Sequence, residues 1–240
     1  MTTCTTCSAA SVHHAMLDTR RRFLCACTGV LTLFPTTGHA ADAWMGTDPA
    51  QWVPADILAI LNRSSWVKGV NPELSPAWLR SVEKSGKRVA AAEGVRDKRT
   101  LTEFTVVVRW ESGLPVRLAR KSTPVPEYAA AHYVLSVSRM PIAFMAAMVG
   151  GAQAKDRLAL AQQMLQSSSL QWGGKAPIPA DHAEWTESDF EPRIMISFPQ
   201  GRQPLESSDG VVTFVSQMGF LLLRVSFPLG KMVYRGKLEL

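Results

Sequence analysis

Cysteine is scarce in this chain: four residues among 240, at positions 4, 7, 25 and 27, and none beyond. From residue 28 onward there is no disulfide, no thiolate nucleophile and no cysteine-ligated iron–sulfur cluster. Histidine is nearly as rare, five in all, of which only His132 and His182 lie beyond residue 40. Charged residues make up 19% of the chain and the net charge is +6, too mild for a nucleic-acid footprint. No apolar run approaches the roughly 20 residues of a membrane span, so no transmembrane segment is expected. Gly-x-Ser-x-Gly is absent, which argues against an α/β-hydrolase elbow. Ser-x-x-Lys occurs at Ser65–Lys68 and Ser81–Lys84, but without the Lys-Thr-Gly and Ser-Asp-Asn elements that give it meaning in penicillin-interacting enzymes. A chain of this length and composition, 46% hydrophobic, has enough apolar matter for a real core without covalent staples.

What is present is clearest near the N-terminus. Thr19-Arg20-Arg21-Arg22-Phe23-Leu24 resembles the twin-arginine export motif, with Arg20, Arg21, Phe23 and Leu24 at its defining positions. An apolar stretch from Phe23 to Phe34 has the length of a signal h-region, and Gly38-His39-Ala40 supplies small residues for cleavage between Ala40 and Ala41. Residues 1–40 are therefore expected to be a signal peptide, with the twin-arginine machinery and a signal peptidase as partners. The remainder is expected in the periplasm or otherwise outside the bacterial cytoplasm. Either Met1 or Met16 would serve as the start. Cys4, Cys7, His13 and His14 are residue types of a zinc site, but they leave with the leader, as does the Leu24–Cys27 segment, which stands too early in the apolar stretch for a lipobox. Cleavage removes Arg20, Arg21, Arg22 and Asp18 and leaves 23 basic and 19 acidic residues, net +4.

Residues 41–240 read as a single α+β domain. Residues 41–53 look like a tether. The stretch 54–100 reads as helical, with a first helix over 54–61 behind Pro54 and a second starting at Ser75-Pro76. From 101 the period changes to two. Val106, Val108 and Trp110 alternate with Val107 and Arg109, and Tyr133, Leu135 and Val137 alternate with Val134, Ser136 and Ser138, as in half-buried strands. A helical turn over 115–121 separates them. The apolar stretch 141–149 predicts a core helix or flap, and 156–166 a helix with Leu158, Ala161 and Leu165 on one face. Residues 169–180 look turn-rich. Ile194, Ile196 and Phe198 mark another strand, and 211–217 with 220–227 a hairpin. The alternation of Met232, Tyr234, Leu238 and Leu240 predicts a last strand belonging to the sheet. The expected fold is thus α+β, a C-terminal antiparallel β-meander with helices packed on one face.

Two segments carry a family likeness. Arg109-Trp110-Glu111-Ser112-Gly113-Leu114-Pro115-Val116-Arg117 and the ending Gly230–Leu240 resemble an uncharacterised family of exported, acidobacterial-type hypothetical proteins; Tyr133–Ser138 and Lys175–Ile178 fit the same pattern more loosely. The likeness spans roughly residues 101–240. It implies a discrete exported domain and transfers no catalytic residue.

Among side chains that would carry chemistry, the strand-to-helix passage stands out. Ser112 and Gly113 precede a helix start whose amides would face an anion, and Arg117, Arg120 and Lys121 lie three and four apart on one helical face. These five are the candidate anion-binding residues, for an anionic envelope ligand. Asp181, His182 and Glu184, with His132, are metal-ligand types, but no spacing brings them together, and neither a metal nor a cofactor is implied. The catalytic residues are unknown. The leading expectation is a non-catalytic binding or structural protein of the cell envelope; the alternative is an extracytoplasmic hydrolase using His132 or His182 with a carboxylate. The seven tryptophans, all beyond residue 40, read as core packing.

Overall fold

The computed structural model describes residues 43–76, 79–80, 103–121, 131–141, 154–187, 191–201 and 204–240. The signal motif Arg20, Arg21, Phe23 and Leu24 and the cleavage pair Ala40 and Ala41 lie outside the described residues, as do most of the second expected helix and nearly all of the apolar stretch 141–149.

The α+β expectation holds, with helices and antiparallel sheets. Two five-stranded sheets replace the single meander. The first is built from β1 (Val67–Val70), β3 (Val106–Trp110), β4 (His132–Ser138), β8 (Arg193–Pro199) and β7 (His182–Thr186), in that spatial order. The second runs β2 (Glu73–Leu74), β10 (Leu221–Pro228), β9 (Val211–Met218), β5 (Ser169–Trp172) and β6 (Ile178–Pro179). Alternation drives the layering: Trp110 and Phe198 on the first sheet meet Phe227 and Phe214 on the second, with ring centroids 5.5 and 6.1 Å apart. The segment Ser169–Ala180, expected as turns, contributes two of these strands.

The hairpin β9–β10 is the best-patterned element, with Val212, Phe214, Ser216 and Met218 facing inward opposite Leu221, Leu223, Val225 and Phe227. Helix α1 (Pro54–Arg63) begins with Pro54 at its first position, and the Asp56 carboxylate accepts from the Val53 N–H at 3.1 Å. Helix α2 (Leu114–Ala119) follows β3, and α3 (Ala154–Ser167) lies against β7 and β9. The inner face of α3 is Leu160, Ala161 and Met164. Leu158, which the spacing puts on the same face as Ala161 and Leu165, is 62% exposed; the apolar residues of this helix cover more than one stripe, and tertiary packing chose the other.

Three further expectations need correction. Residues 43–53 are no tether: Trp44 and Trp52 are buried in the core, edge to face with one another, and Trp44 stacks on Tyr234. The stretch 54–100 is not uniformly helical, because β1 pairs with β3 and β2 with β10. This short N-terminal run therefore adds an edge strand to each sheet and clasps the two together. Lastly, the chain end is a separate two-stranded hairpin, β11 (Val233–Tyr234) with β12 (Lys237–Leu238), turned at Arg235 and Gly236, both with positive φ. A left-handed Gly236 breaks the strand that the alternation predicts.

Candidate functional site

The first sheet is unusual on the face turned away from the second. Residues Val107, Arg109, Val134, Ser136, Ser138, Arg193, Met195 and Ser197 point there and all are buried. The strands expected to be half-buried are thus buried on both faces, and the second face carries serines and arginines. Buried ions need partners and hydrogen bonds, and the partners define the site.

The turn after β3 places the first of them. The Glu111 and Ser112 amides donate to the Val134 carbonyl at 2.7 and 3.3 Å, and the Ser112 hydroxyl accepts from the Val134 N–H at 3.0 Å. This doubled clamp fixes Glu111, whose side chain is 2% exposed. Its Oε1 accepts from the Ser136 hydroxyl at 2.5 Å and from Arg109 NH1 at 3.3 Å, and Oε2 pairs with Arg120 Nε at 3.0 Å. Arg109 also donates from Nε to the Leu61 carbonyl at 2.9 Å, in the last turn of α1, where a cation complements the helix dipole. Arg120 ends α2 and turns its guanidinium inward.

A second carboxylate, Glu191, stands ahead of β8 and is 26% exposed. Its Oε2 lies 3.6 Å from Arg109 NH1 and 3.5 Å from Arg120 NH2; its Oε1 lies 3.6 Å from Arg139 Nε and 3.2 Å from the Ser138 hydroxyl. Burial by itself pushes the Glu191 carboxyl up, but Arg109, the Ser138 hydroxyl, Arg120 and Arg139 together outweigh it and hold it below the usual carboxylate range. Arg139 follows β4 with φ of 61°, a left-handed conformation uncommon outside glycine. From there its NH2 donates to Asn62 Oδ1 at 2.9 Å.

Three guanidiniums and two carboxylates thus converge beside an open cleft of about 510 Å³ whose wall includes Leu61, Asn62, Ala119 and Arg139. That volume falls in the range of small-molecule sites. The guanidinium fork suits carboxylate and phosphate oxygens.

The candidate anion-binding residues are placed differently from one another. Gly113 is buried beneath the Trp66 indole, Ser112 is engaged with β4, and Pro115 occupies the first turn of α2. Arg117 and Lys121 are exposed, whereas Arg120 lines the cleft. The sequence singled out Arg120 and missed Asn62, Arg109, Glu111, Ser136, Ser138, Arg139 and Glu191. A signal was there: Arg109 and Glu111 two apart, followed by serines at 136 and 138, put polar side chains on one face of adjacent strands.

His132 Nε2 lies 2.8 Å from Asp181 Oδ2, at the opposite end of β4 from Arg139. His182 and Glu184 sit on the edge strand β7 with Nε2 3.8 Å from Oε2. Among the described residues no group of three or more His, Cys, Asp or Glu is placed to hold a metal ion, and no helix is long and apolar enough to cross a membrane. No protein-family model, curated protein or solved structure matches the chain.

Proposed function

We propose that this chain is an exported, non-catalytic binding protein of the bacterial cell envelope, and that the arginine-lined cleft takes a small anionic ligand. The observation that carries the binding reading is the convergence of Arg109, Arg120 and Arg139 on one open cleft, with the Glu191 carboxylate already seated among them. The leader supports the export half: Arg20-Arg21 with an apolar stretch behind it and a small-residue cleavage point at Ala40–Ala41.

The binding half is tested by titrating the purified protein with small anions at fixed ionic strength. At least one should bind, and Arg139→Gln should weaken it about tenfold, the worth of a hydrogen bond to a charged group. Arg139 is 55% exposed, so its replacement should leave the fold intact. A protein that melts normally and binds no small anion at millimolar concentration would refute the reading. For export, changing Arg20 and Arg21 to Lys should hold the precursor in the cytoplasm; normal processing to a new N-terminus near Ala41 would rule out the twin-arginine route.

A second reading, hydrolysis, is favoured by the His132–Asp181 pair alone. An imidazole held by a carboxylate is two parts of a nucleophile–base–orienter arrangement. If it works, His132→Ala abolishes turnover of an activated ester and His182→Ala does not; a wild-type protein without turnover sinks it.

A further inference from the structure

The two carboxylates of the cluster are held very differently. Glu111 is sequestered, with contacts at 2.5, 3.0 and 3.3 Å. Glu191 is partly open to the cleft, and its three guanidinium neighbours stand at 3.5, 3.6 and 3.6 Å. Charge-assisted hydrogen bonds close to about 2.7–2.9 Å. Glu191 is therefore attracted by three arginines and tightly bonded to none of them; its shortest hold is the neutral Ser138 hydroxyl at 3.2 Å.

We infer that the Glu191 carboxylate is an internal stand-in, occupying the place that the carboxylate of an organic ligand takes when the ligand displaces it. The inference rests on the binding reading above and names the ligand class for the same cleft. A carboxylate is the group already seated among Arg109, Arg120 and Arg139, so a carboxylate is what the seat accepts. The cleft of about 510 Å³ far exceeds that head group, and Leu61 and Ala119 give it an apolar stretch beside the arginines. The ligand has a carboxylate head and a compact apolar body, the size of a substituted benzoate. Exchange leaves the charge balance of the cluster unchanged, because one carboxylate replaces another. Glu111 and Ser136 keep Arg109 and Arg120 in position throughout.

The test is calorimetric titration with sodium benzoate, and separately with inorganic phosphate, at pH 7 and fixed ionic strength. Glu191→Gln removes the competing charge and keeps the shape, so it should bind benzoate about tenfold tighter than wild type. Ser138→Ala, which removes the shortest hold on Glu191, should tighten benzoate a few-fold. Arg139→Gln should weaken it. Benzoate binding that is unchanged or weaker in Glu191→Gln overturns the exchange while leaving the binding reading standing. Phosphate binding tighter than benzoate in Glu191→Gln overturns the organic carboxylate as ligand class. Failure of every folded variant to bind either anion removes both proposals. Should Glu191→Gln show no cooperative melt, Ser138→Ala decides alone, and unchanged or weaker benzoate binding there overturns the exchange.

Discussion

A methyl group at position 113 is a sharp test of the packing that places the cleft. Gly113 has φ of −60° and ψ of 132°, a conformation open to any residue, so replacement by Ala carries no backbone penalty. Its Cβ would instead stand 2.5 Å from Trp66 Cδ1, 2.7 Å from Trp66 Nε1 and 3.3 Å from the Glu239 carbonyl. The indole cannot step aside freely: its N–H donates to that same carbonyl at 2.6 Å, and its ring packs on Trp44 with centroids 6.2 Å apart. Overpacking of this kind costs about 1–3 kcal/mol. Loss of the indole hydrogen bond adds about 0.5–1.5 kcal/mol. The reduced entropy of the unfolded chain returns only about 0.4–1 kcal/mol. Gly113→Ala should therefore be destabilised by about 0.5–4 kcal/mol, roughly 1–16 °C in a thermal melt at this chain length. Gly230→Ala has open space around its Cβ and no positive φ, and should melt at or slightly above wild type. Thermal denaturation followed by circular dichroism reads both. A Gly113→Ala protein melting at or above wild type would refute the argument that Trp66 is locked between Trp44 and the Glu239 carbonyl.

Truncation after Gly230 removes Met232 and Tyr234, both buried, and the carbonyl that holds Trp66. At roughly 1.5–3 kcal/mol for each buried side chain, plus the exposed Trp44 and Trp66, the loss rivals a whole domain stability of about 5–15 kcal/mol. The truncated chain should show no cooperative melt, and a melt close to full length would make the tail peripheral. Glu191→Gln should lower stability at pH 7 in urea denaturation. Because the folded carboxyl lies below its ordinary value, the contribution it removes is present above the ordinary carboxyl pKa and fades as pH falls through the folded one. The gap to wild type should therefore close toward pH 3; a gap independent of pH would mean that packing, not charge, made the difference. Lys68 is pushed the other way: burial, then the charge of Lys231, lowers its pKa. Lys68→Met should consequently be neutral or stabilising at pH 7 and lose that advantage as pH rises through the lysine range.

The sequence was most legible where one physical signal acted alone. In β9 and β10 strict alternation marked the inward residues, because one face meets the other sheet and the opposite face meets water. Pro54 marked the start of α1 because only the first helical turn tolerates it. Legibility failed where two faces were buried at once. Arg109, Ser136 and Ser138 alternate with apolar residues as a solvated face would, and only the fold shows that this face is enclosed. It failed again for short pairings. Val67–Val70 and Glu73–Leu74 have no period to read; they are strands because the edges of β3 and β10 offer them hydrogen bonds. At the chain end the apolar pattern was real, since Met232 and Tyr234 are buried, but Gly236 divides it between two strands. Of the cleft residues only Arg120 was singled out, because an ionic cluster assembled from α1, β3, β4, α2 and the approach to β8 has no spacing in one dimension.

That cluster is hard to explain as scaffolding. A buried network of guanidiniums and carboxylates recovers at best its own desolvation cost, and apolar residues of similar volume usually serve stability as well or better. Arg139 reaches it from a left-handed backbone, a conformation that costs about 1–3 kcal/mol outside glycine. Its reach ends on Asn62 and Glu191, the two polar side chains at the mouth of the cleft, whereas the charges deeper in are already bonded. Stability alone would favour sealing this corner with leucine beside Leu61 and Ala119. A strained backbone and a loosely held carboxylate occur together where Arg139 and Glu191 open to solvent, and a site that exchanges anions calls for both.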